Sequence, residues 1–63
     1  MPITYSDHEI GKDIEIVKGA YKGARGKITG IVRENDHVFE CIKVKCAGIP
    51  IVLFYKADEL VEL

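Results

Sequence analysis

Five residues in the first half of the chain have side chains suited to binding a polyanion. Lysine and arginine bind phosphate oxygens, and a tyrosine ring can stack on an exposed base, which contributes about 1–3 kcal/mol per base. The five residues are Lys18, Tyr21, Lys22, Arg25 and Lys27. Their types and spacing predict a basic loop that contacts RNA or DNA. The alternative is a solvated hairpin tip in which Tyr21 packs over the end of the domain.

The charges of the chain are segregated, although the formal net charge is only −1. Between Ile16 and Arg33 there are five basic residues and no acidic residue, and all the acidic residues lie before or after this stretch. A local positive field can attract a polyanion even when the net charge is near zero. We therefore expect binding that is weak, strongly salt-dependent and only slightly sequence-specific.

A histidine and two cysteines, His37, Cys41 and Cys46, form a second group with chemical potential. Structural zinc sites need about four ligands, usually from closely spaced cysteine pairs, and this spacing within one strand does not supply them. Thiols five residues apart on a strand also point to opposite faces. The pattern predicts no metal site and no disulfide between the two cysteines, with Cys46 packed inward and Cys41 exposed.

Catalytic chemistry has little support in the sequence. The chain has one serine, Ser6. His8 lies beside two acidic residues, but the sequence predicts no pocket around it. The glycines of the basic loop match neither a P-loop nor a dinucleotide fingerprint. A barrel of this size is filled by its own side chains. We predict a protein with no catalytic residues and no cofactor.

The basic loop lies between two predicted strands. Ile14 and Ile16 alternate with polar residues, which indicates a half-buried first strand over Asp13–Lys18, and a second strand follows over Arg25–Glu34. Glycines suit loop positions with positive φ or close backbone approach, and three occur here: Gly19, Gly23 and Gly26. Gly30, inside the second strand, predicts a bulge or bend.

Three further strands are predicted in the rest of the chain. A turn over Glu34–His37 leads to a third strand over Val38–Cys46, and Ala47-Gly48 leads to a fourth over Ile49–Tyr55. A 3₁₀ turn over Lys56–Asp58 precedes a short closing strand over Glu59–Glu62. Alternation along these strands directs Ile42, Val44, Ile51 and Leu53 inward.

The same alternation leaves a few large apolar side chains on the outside. Phe39, Val52 and Phe54 face away from the predicted core on neighbouring strands. Exposed apolar groups on adjacent strands can mark a protein-binding surface. The alternative is that Ile3 and Tyr5 of the N-terminal arm cover them, or that strong strand curvature buries both faces.

The first hairpin resembles a KOW motif. The residues that carry the resemblance are Ile14-x-Ile16, Gly19, the basic loop, and Gly26-x-Ile28, and a weaker similarity to the closing strands of the NusG carboxy-terminal domain covers 49–53 and 58–61. The resemblance extends over 10–63 and implies an SH3-like barrel of the kind found in NusG-type transcription factors and KOW-containing ribosomal proteins. Cys46-Ala47-Gly48 lacks the aromatic residue usual in NusG, so the NusG partners are not carried over.

These observations together predict a small all-β domain. A chain of 63 residues buries only about 60% of its unfolded surface, and a closed five-stranded barrel over 10–63, preceded by an arm over 1–9, suits that limit. The resemblance implies a nucleic-acid-binding role in transcription or translation, and a net charge near zero favours a transient partner. The alternative is a protein-interaction adaptor. We expect a cytoplasmic monomer or weak dimer without a membrane segment.

Overall fold

Five antiparallel strands form one sheet in the computed structural model, which describes residues 3–35 and 38–63. The strands, in the sheet order β4-β3-β2-β1-β5, are β1 (Asp13–Ile16), β2 (Arg25–Glu34), β3 (Phe39–Cys46), β4 (Leu53–Tyr55) and β5 (Leu60–Glu62). Two 3₁₀ turns, Asp7–Glu9 and Ala57–Glu59, complete the regular structure of the described residues. The predicted all-β class, the five strands and the 3₁₀ turn before the last strand are confirmed.

The sheet is not closed. Among the described residues no ladder joins β4 to β5, which are the two edges of the sheet, so the expected closed barrel is not formed by hydrogen bonds. Both edge strands are only three residues long. Short edge strands offer few unpaired backbone groups, so they limit pairing with the strands of other chains.

The core lies on one face of this sheet. Alternation within the strands directs Ile14, Ile16, Ile28, Ile42 and Val44 inward, where each is almost completely buried. Complete burial of such a side chain stabilises the fold by about 1.5–3 kcal/mol. Cys46, Leu53 and Leu60 extend the same cluster onto the remaining strands. The inward positions predicted for Ile42, Val44, Leu53 and Cys46 are confirmed.

The hairpin between β1 and β2 depends on its glycines. Gly19 and Gly23 have positive φ values of 87° and 97°. Gly26 is needed for a different reason, because an added Cβ would lie 2.1 Å from the carbonyl oxygen of Lys45. The predicted bulge is present, since the pairing of β2 with β3 shifts between Ile28 and Gly30. The extra residue, Thr29, donates its hydroxyl to the carbonyl of Lys43 at 3.3 Å.

The segment before β1 packs on the sheet. Ile3 belongs to the core, and the Tyr5 hydroxyl accepts a hydrogen bond from the amide of Ala57 at 2.9 Å. Arg33 donates to the carbonyl of Tyr5 at 3.0 Å. Buried Glu9 accepts from the Thr4 amide at 2.8 Å and pairs with Lys12. Ile3 and Tyr5 are therefore tied to the inner side and to the last 3₁₀ turn.

Several detailed expectations were wrong. β1 ends at Ile16 rather than Lys18, and β4 begins at Leu53 rather than Ile49. Because the alternation of β4 does not extend back to Ile51, that side chain is 55% exposed instead of inward. Cys41 is buried rather than exposed. Val32 lies opposite it on β2, and Phe39 and Lys43 lie on either side of it on the same side of β3. Asp36 and His37 of the predicted turn lie outside the described residues.

Candidate binding surfaces

The face of the sheet opposite the core, called the outer face here, carries most of the candidate residues. Cross-strand pairing fixes its rows, because directly opposed residues project to the same side. One row joins Asp13, Lys27 and Lys45, and a second joins Val61, Glu15 and Arg25. A third row joins Phe54, Lys43 and Gly30. The outer face thus has acids on β1, cations on β2 and β3, and an aromatic ring on β4.

Three of the four predicted loop cations are paired with acids. Arg25 Nε lies 3.0 Å from Glu15 Oε1, and Lys27 Nζ lies 2.7 Å from Asp13 Oδ1. Lys18 Nζ lies 3.5 Å from Asp58 Oδ2 on the second 3₁₀ turn. The predicted basic loop is therefore largely neutralised by carboxylates that come from elsewhere in the chain.

Tyr21 and Lys22 are the two predicted loop residues that stay available. Tyr21 is 39% exposed, and Lys22 is exposed without an ion pair within the described part of the chain. The loop that carries them is well formed, because the Gly23 amide donates to the Ile16 carbonyl at 2.8 Å and the Ala24 amide donates to the Tyr21 carbonyl at 2.9 Å. A hydrogen-bonded loop therefore presents one ring and one ammonium group without a carboxylate partner to solvent.

Three lysines on the other half of the outer face were not predicted as site residues. Lys43 is half-buried, whereas Lys45 and Lys56 are exposed. Within residues 3–35 and 38–63 none of the three has a carboxylate partner: Lys45 donates to the Pro50 carbonyl at 3.2 Å and Lys56 to the Glu40 carbonyl at 2.6 Å. For Lys43 and Lys45, alternation with buried Ile42, Val44 and Cys46 was the available signal. These lysines carry the uncompensated positive charge of the sheet.

The predicted apolar surface is exposed. Phe54 is 58% exposed, Phe39 44% and Val52 39%. Ile51, which was predicted to be inward, adds a fourth exposed side chain next to Val52. The arm does not cover this surface, because Ile3 lies in the core on the opposite side. Lys56 Nζ sits 4.4 Å from the centroid of the Phe39 ring, a cation–π distance that joins the lysines to the aromatic residues.

Both thiols are buried. Cys46 is part of the core, and its burial raises the pKa of the thiol above the ordinary value. The pKa of the neighbouring Tyr55 hydroxyl is also raised, mainly by burial. Both cysteines are free, and the described residues contain no group of three or more side chains that could hold a metal ion. Buried thiols with a raised pKa are poor nucleophiles.

A shallow concavity of about 780 Å³ lies on the outer face near the start of β2. Its lining is formed by Asp13, Arg25, Gly26, Lys27, Thr29, Lys45, Cys46, Ala47 and Leu63. Arg25 and Lys27 reach it already paired with β1 carboxylates. This concavity therefore offers apolar contact and one unpaired ammonium group, that of Lys45, to a ligand.

Comparison with known proteins gave no match: no protein-family model, no curated protein and no solved structure corresponds to this chain. The described residues include no helix that is both long enough and apolar enough to span a bilayer.

Proposed function

We propose that this chain is a non-catalytic binding module that contacts a protein partner through the outer side of β3 and β4. We call this surface the β3–β4 face and define it by Phe39, Lys43, Lys45, Val52, Phe54 and Lys56. The observation that supports it best is the exposure of three large apolar side chains: Phe39 on β3, Phe54 on β4, and Val52 just before β4. Monomeric soluble proteins rarely leave large contiguous apolar patches exposed without a functional reason.

Strand pairing and one ring contact connect most residues of the β3–β4 face. Phe54 lies directly opposite Lys43 in the pairing of β4 with β3, and Lys45 follows Lys43 by one alternation. Lys56 follows Phe54 by the same spacing and reaches back to the Phe39 ring. Aromatic residues are enriched at protein–protein interfaces, the rims of such interfaces are polar, and charged groups across an interface contribute mainly to specificity. An aromatic centre with lysines around it fits that anatomy.

Site-specific photo-crosslinking tests this proposal. A benzophenone-bearing residue is introduced at Phe54 in one variant and at Val61 in another, because Val61 is a comparably exposed apolar residue on the opposite edge strand. We expect discrete, nuclease-resistant protein adducts from position 54 only. Equal adducts from both positions, or no protein adduct from position 54, would contradict a dedicated protein-binding face.

Polyanion binding through the first loop is a second candidate, supported by Tyr21 and Lys22. Both are exposed in a hydrogen-bonded loop, and the KOW resemblance assigns RNA or DNA contact to this loop. The paired state of Lys18, Arg25 and Lys27 reduces the charge that this loop can offer. A role in transcription or translation follows from the resemblance alone.

An amide NMR titration separates this candidate from the first. Short single-stranded RNA and duplex DNA are added at low and at physiological salt, and shifts over 18–27 that disappear at the higher salt would support loop binding. The Lys22→Glu variant should lose those shifts and keep its fold. Undiminished shifts in that variant would rule out Lys22 as a contact, and shifts outside 18–27 would rule out the loop as the site.

A further inference from the structure

We infer that the β3–β4 face selects an acidic polypeptide segment that carries large apolar side chains. This inference rests on the proposed function, because it names the chemistry of the partner for the same surface. Its basis is the way the chain distributes its ion pairs.

The nine basic residues divide into two groups. Five of them pair with carboxylates, namely Lys12, Lys18, Arg25, Lys27 and Arg33. Across the described ranges the other four have no carboxylate partner, and three of those four, Lys43, Lys45 and Lys56, lie on the β3–β4 face. The positive charge of the fold is therefore concentrated around its exposed apolar side chains.

The surroundings of these lysines keep that charge uncompensated. Lys45 and Lys56 donate to backbone carbonyls, which carry no net charge. Two acids of the outer face, Asp13 and Glu15, are already paired with β2 cations, and a third, Glu34, lies opposite Phe39 at the end of the β2–β3 pairing away from Lys45. Lys43 directs its aliphatic part toward Gly30, where an added Cβ would lie 3.7 Å from its Cδ. The Phe54 ring opposite Lys43 consequently stays open to solvent.

A partner must match both the lysine charges and the exposed apolar side chains of this surface. Carboxylates can pair with the ammonium groups, and apolar side chains can cover Phe54, Val52 and the neighbouring residue Ile51, which are 58%, 39% and 55% exposed. A second copy of this chain would bring lysines against lysines, and electrostatic mismatch of that kind is costly at an interface. Charge complementarity therefore favours an acidic partner over self-association.

An oligonucleotide fits this surface less well than a polypeptide. Stacking needs free aromatic rings, and one of the two rings of the face, Phe39, has the Lys56 ammonium group over it. The exposed aliphatic side chains of Ile51 and Val52 offer nothing for a base to stack on. They are well suited to pack against leucine or phenylalanine.

The test is an amide NMR titration of the labelled chain with matched synthetic peptides at low salt. The first peptide alternates Asp or Glu with Leu and Phe, the second replaces each acid by its amide, and the third replaces each Leu and Phe by Ser. We expect shifts in β3 and β4 with the first peptide, and binding weaker by at least about tenfold with the other two. Oligothymidylate is titrated in parallel.

Two protein variants complete the design. Lys43→Glu combined with Lys45→Glu should weaken the first peptide by at least about tenfold, whereas Lys22→Glu, a single charge reversal outside the face, should change its affinity by less than about threefold. Both substituted lysines of the first variant lie outside the core. One further measurement needs no variant. Raising the salt concentration should weaken the binding of the first peptide and leave the affinity of the amide peptide unchanged.

Each other outcome overturns the inference in a distinct way. Equal binding of the acidic and amide peptides would leave an apolar protein-binding face and remove its acidic selectivity. Tighter binding of oligothymidylate at the same amides would identify a nucleic-acid surface. The absence of shifts with all peptides would remove the acidic partner, while the crosslinks from position 54 would decide the proposed function independently.

Discussion

Lys27 and Lys45 lie directly opposite each other on β2 and β3, yet their ammonium groups have different partners. Lys27 Nζ lies 2.7 Å from Asp13 on β1, and Lys45 Nζ lies 3.2 Å from the carbonyl of Pro50 on the other side. Directly opposed like charges destabilise a sheet, and here each finds its own acceptor. The outer face is consequently neutral toward β1 and positive toward β4.

Removing the β1 acids should strengthen polyanion binding if the first loop contacts phosphates. Asp13→Asn or Glu15→Gln leaves Lys27 or Arg25 without its carboxylate, so each substitution should raise affinity for single-stranded RNA severalfold, up to about tenfold, at low salt. The stability cost should be small, about 0–1 kcal/mol, because these pairs are at the surface. Fluorescence anisotropy measures the affinity.

The control for this experiment is Glu34→Gln, which removes the same charge at the exposed end of β2. An effect of Asp13→Asn no larger than that of the control would mean that Lys27 does not contact the nucleic acid.

Two glycines of β2 should respond very differently to alanine. A Cβ on Gly26 would lie 2.1 Å from the Lys45 carbonyl oxygen and 2.7 Å from Cys46 Cα, so the β2 and β3 backbones must separate. On Gly30 the nearest atom would be 3.7 Å away, an ordinary contact. Urea unfolding should show that Gly26→Ala costs at least about 2 kcal/mol and Gly30→Ala less than about 1 kcal/mol. Similar costs at the two positions would contradict this backbone approach.

The stability of the fold should decrease in acid because of Glu9. The hydrogen bond from Lys12, followed by that from the Thr4 amide, lowers the pKa of Glu9 below its ordinary value of 4.5. The unfolded chain therefore binds this proton more tightly than the folded chain does. Stability from Glu9 is present above the ordinary value and is lost as the pH falls through the lower, folded-state pKa. Lys12 behaves oppositely, because its raised pKa makes its contribution vanish as the pH rises through the folded-state value.

Glu9→Gln checks this assignment. The variant should be less stable at neutral pH, and its unfolding free energy should vary less with pH in the acid range. Glu34→Gln, at an exposed strand end, serves as the control. If the unfolding free energy falls as steeply with decreasing pH in Glu9→Gln as in the unsubstituted chain, the acid sensitivity belongs to other carboxylates.

Both thiols should react slowly in the folded protein. Cys41 and Cys46 are 6% and 3% exposed, and burial raises the pKa of Cys46. A third thiol introduced by Lys22→Cys provides an exposed reference on the same fold. In the folded protein we expect the native thiols to react with an aromatic disulfide reagent at least about a hundredfold more slowly than the reference thiol. In urea, where the protein is unfolded, all three thiols should react at the same rate. A native thiol that reacts as fast as the reference would have to be exposed.

The sequence predicts the strands of this chain better than the contacts between them. Gly30 indicated the bulge, and the alternation of Ile14 with Ile16 and of Ile42 with Val44 identified the core face. Ile51 was misplaced because the run from Ile49 to Leu53 is apolar throughout, so it has no period that marks where β4 begins.

The basic loop shows the limit of a charge count. The sequence placed the cations correctly in one stretch, but it contains no direct signal for the register of β1 against β2, which brings Asp13 to Lys27 and Glu15 to Arg25. Alternation with Ile42 and Val44 puts Lys43 and Lys45 on the outer side, and only the distribution of ion pairs identifies their charge as uncompensated. Charge type follows from composition, whereas charge compensation depends on tertiary pairing.

The pairing of β1 with β5 has a consequence for how the chain folds as it is synthesised. β1 can pair with β2 as soon as the first hairpin emerges, but its other edge must wait for Leu60 to Glu62. Until then the ribosome-bound chain displays an unpaired strand edge and an unfinished core, the features that make nascent chains prone to association.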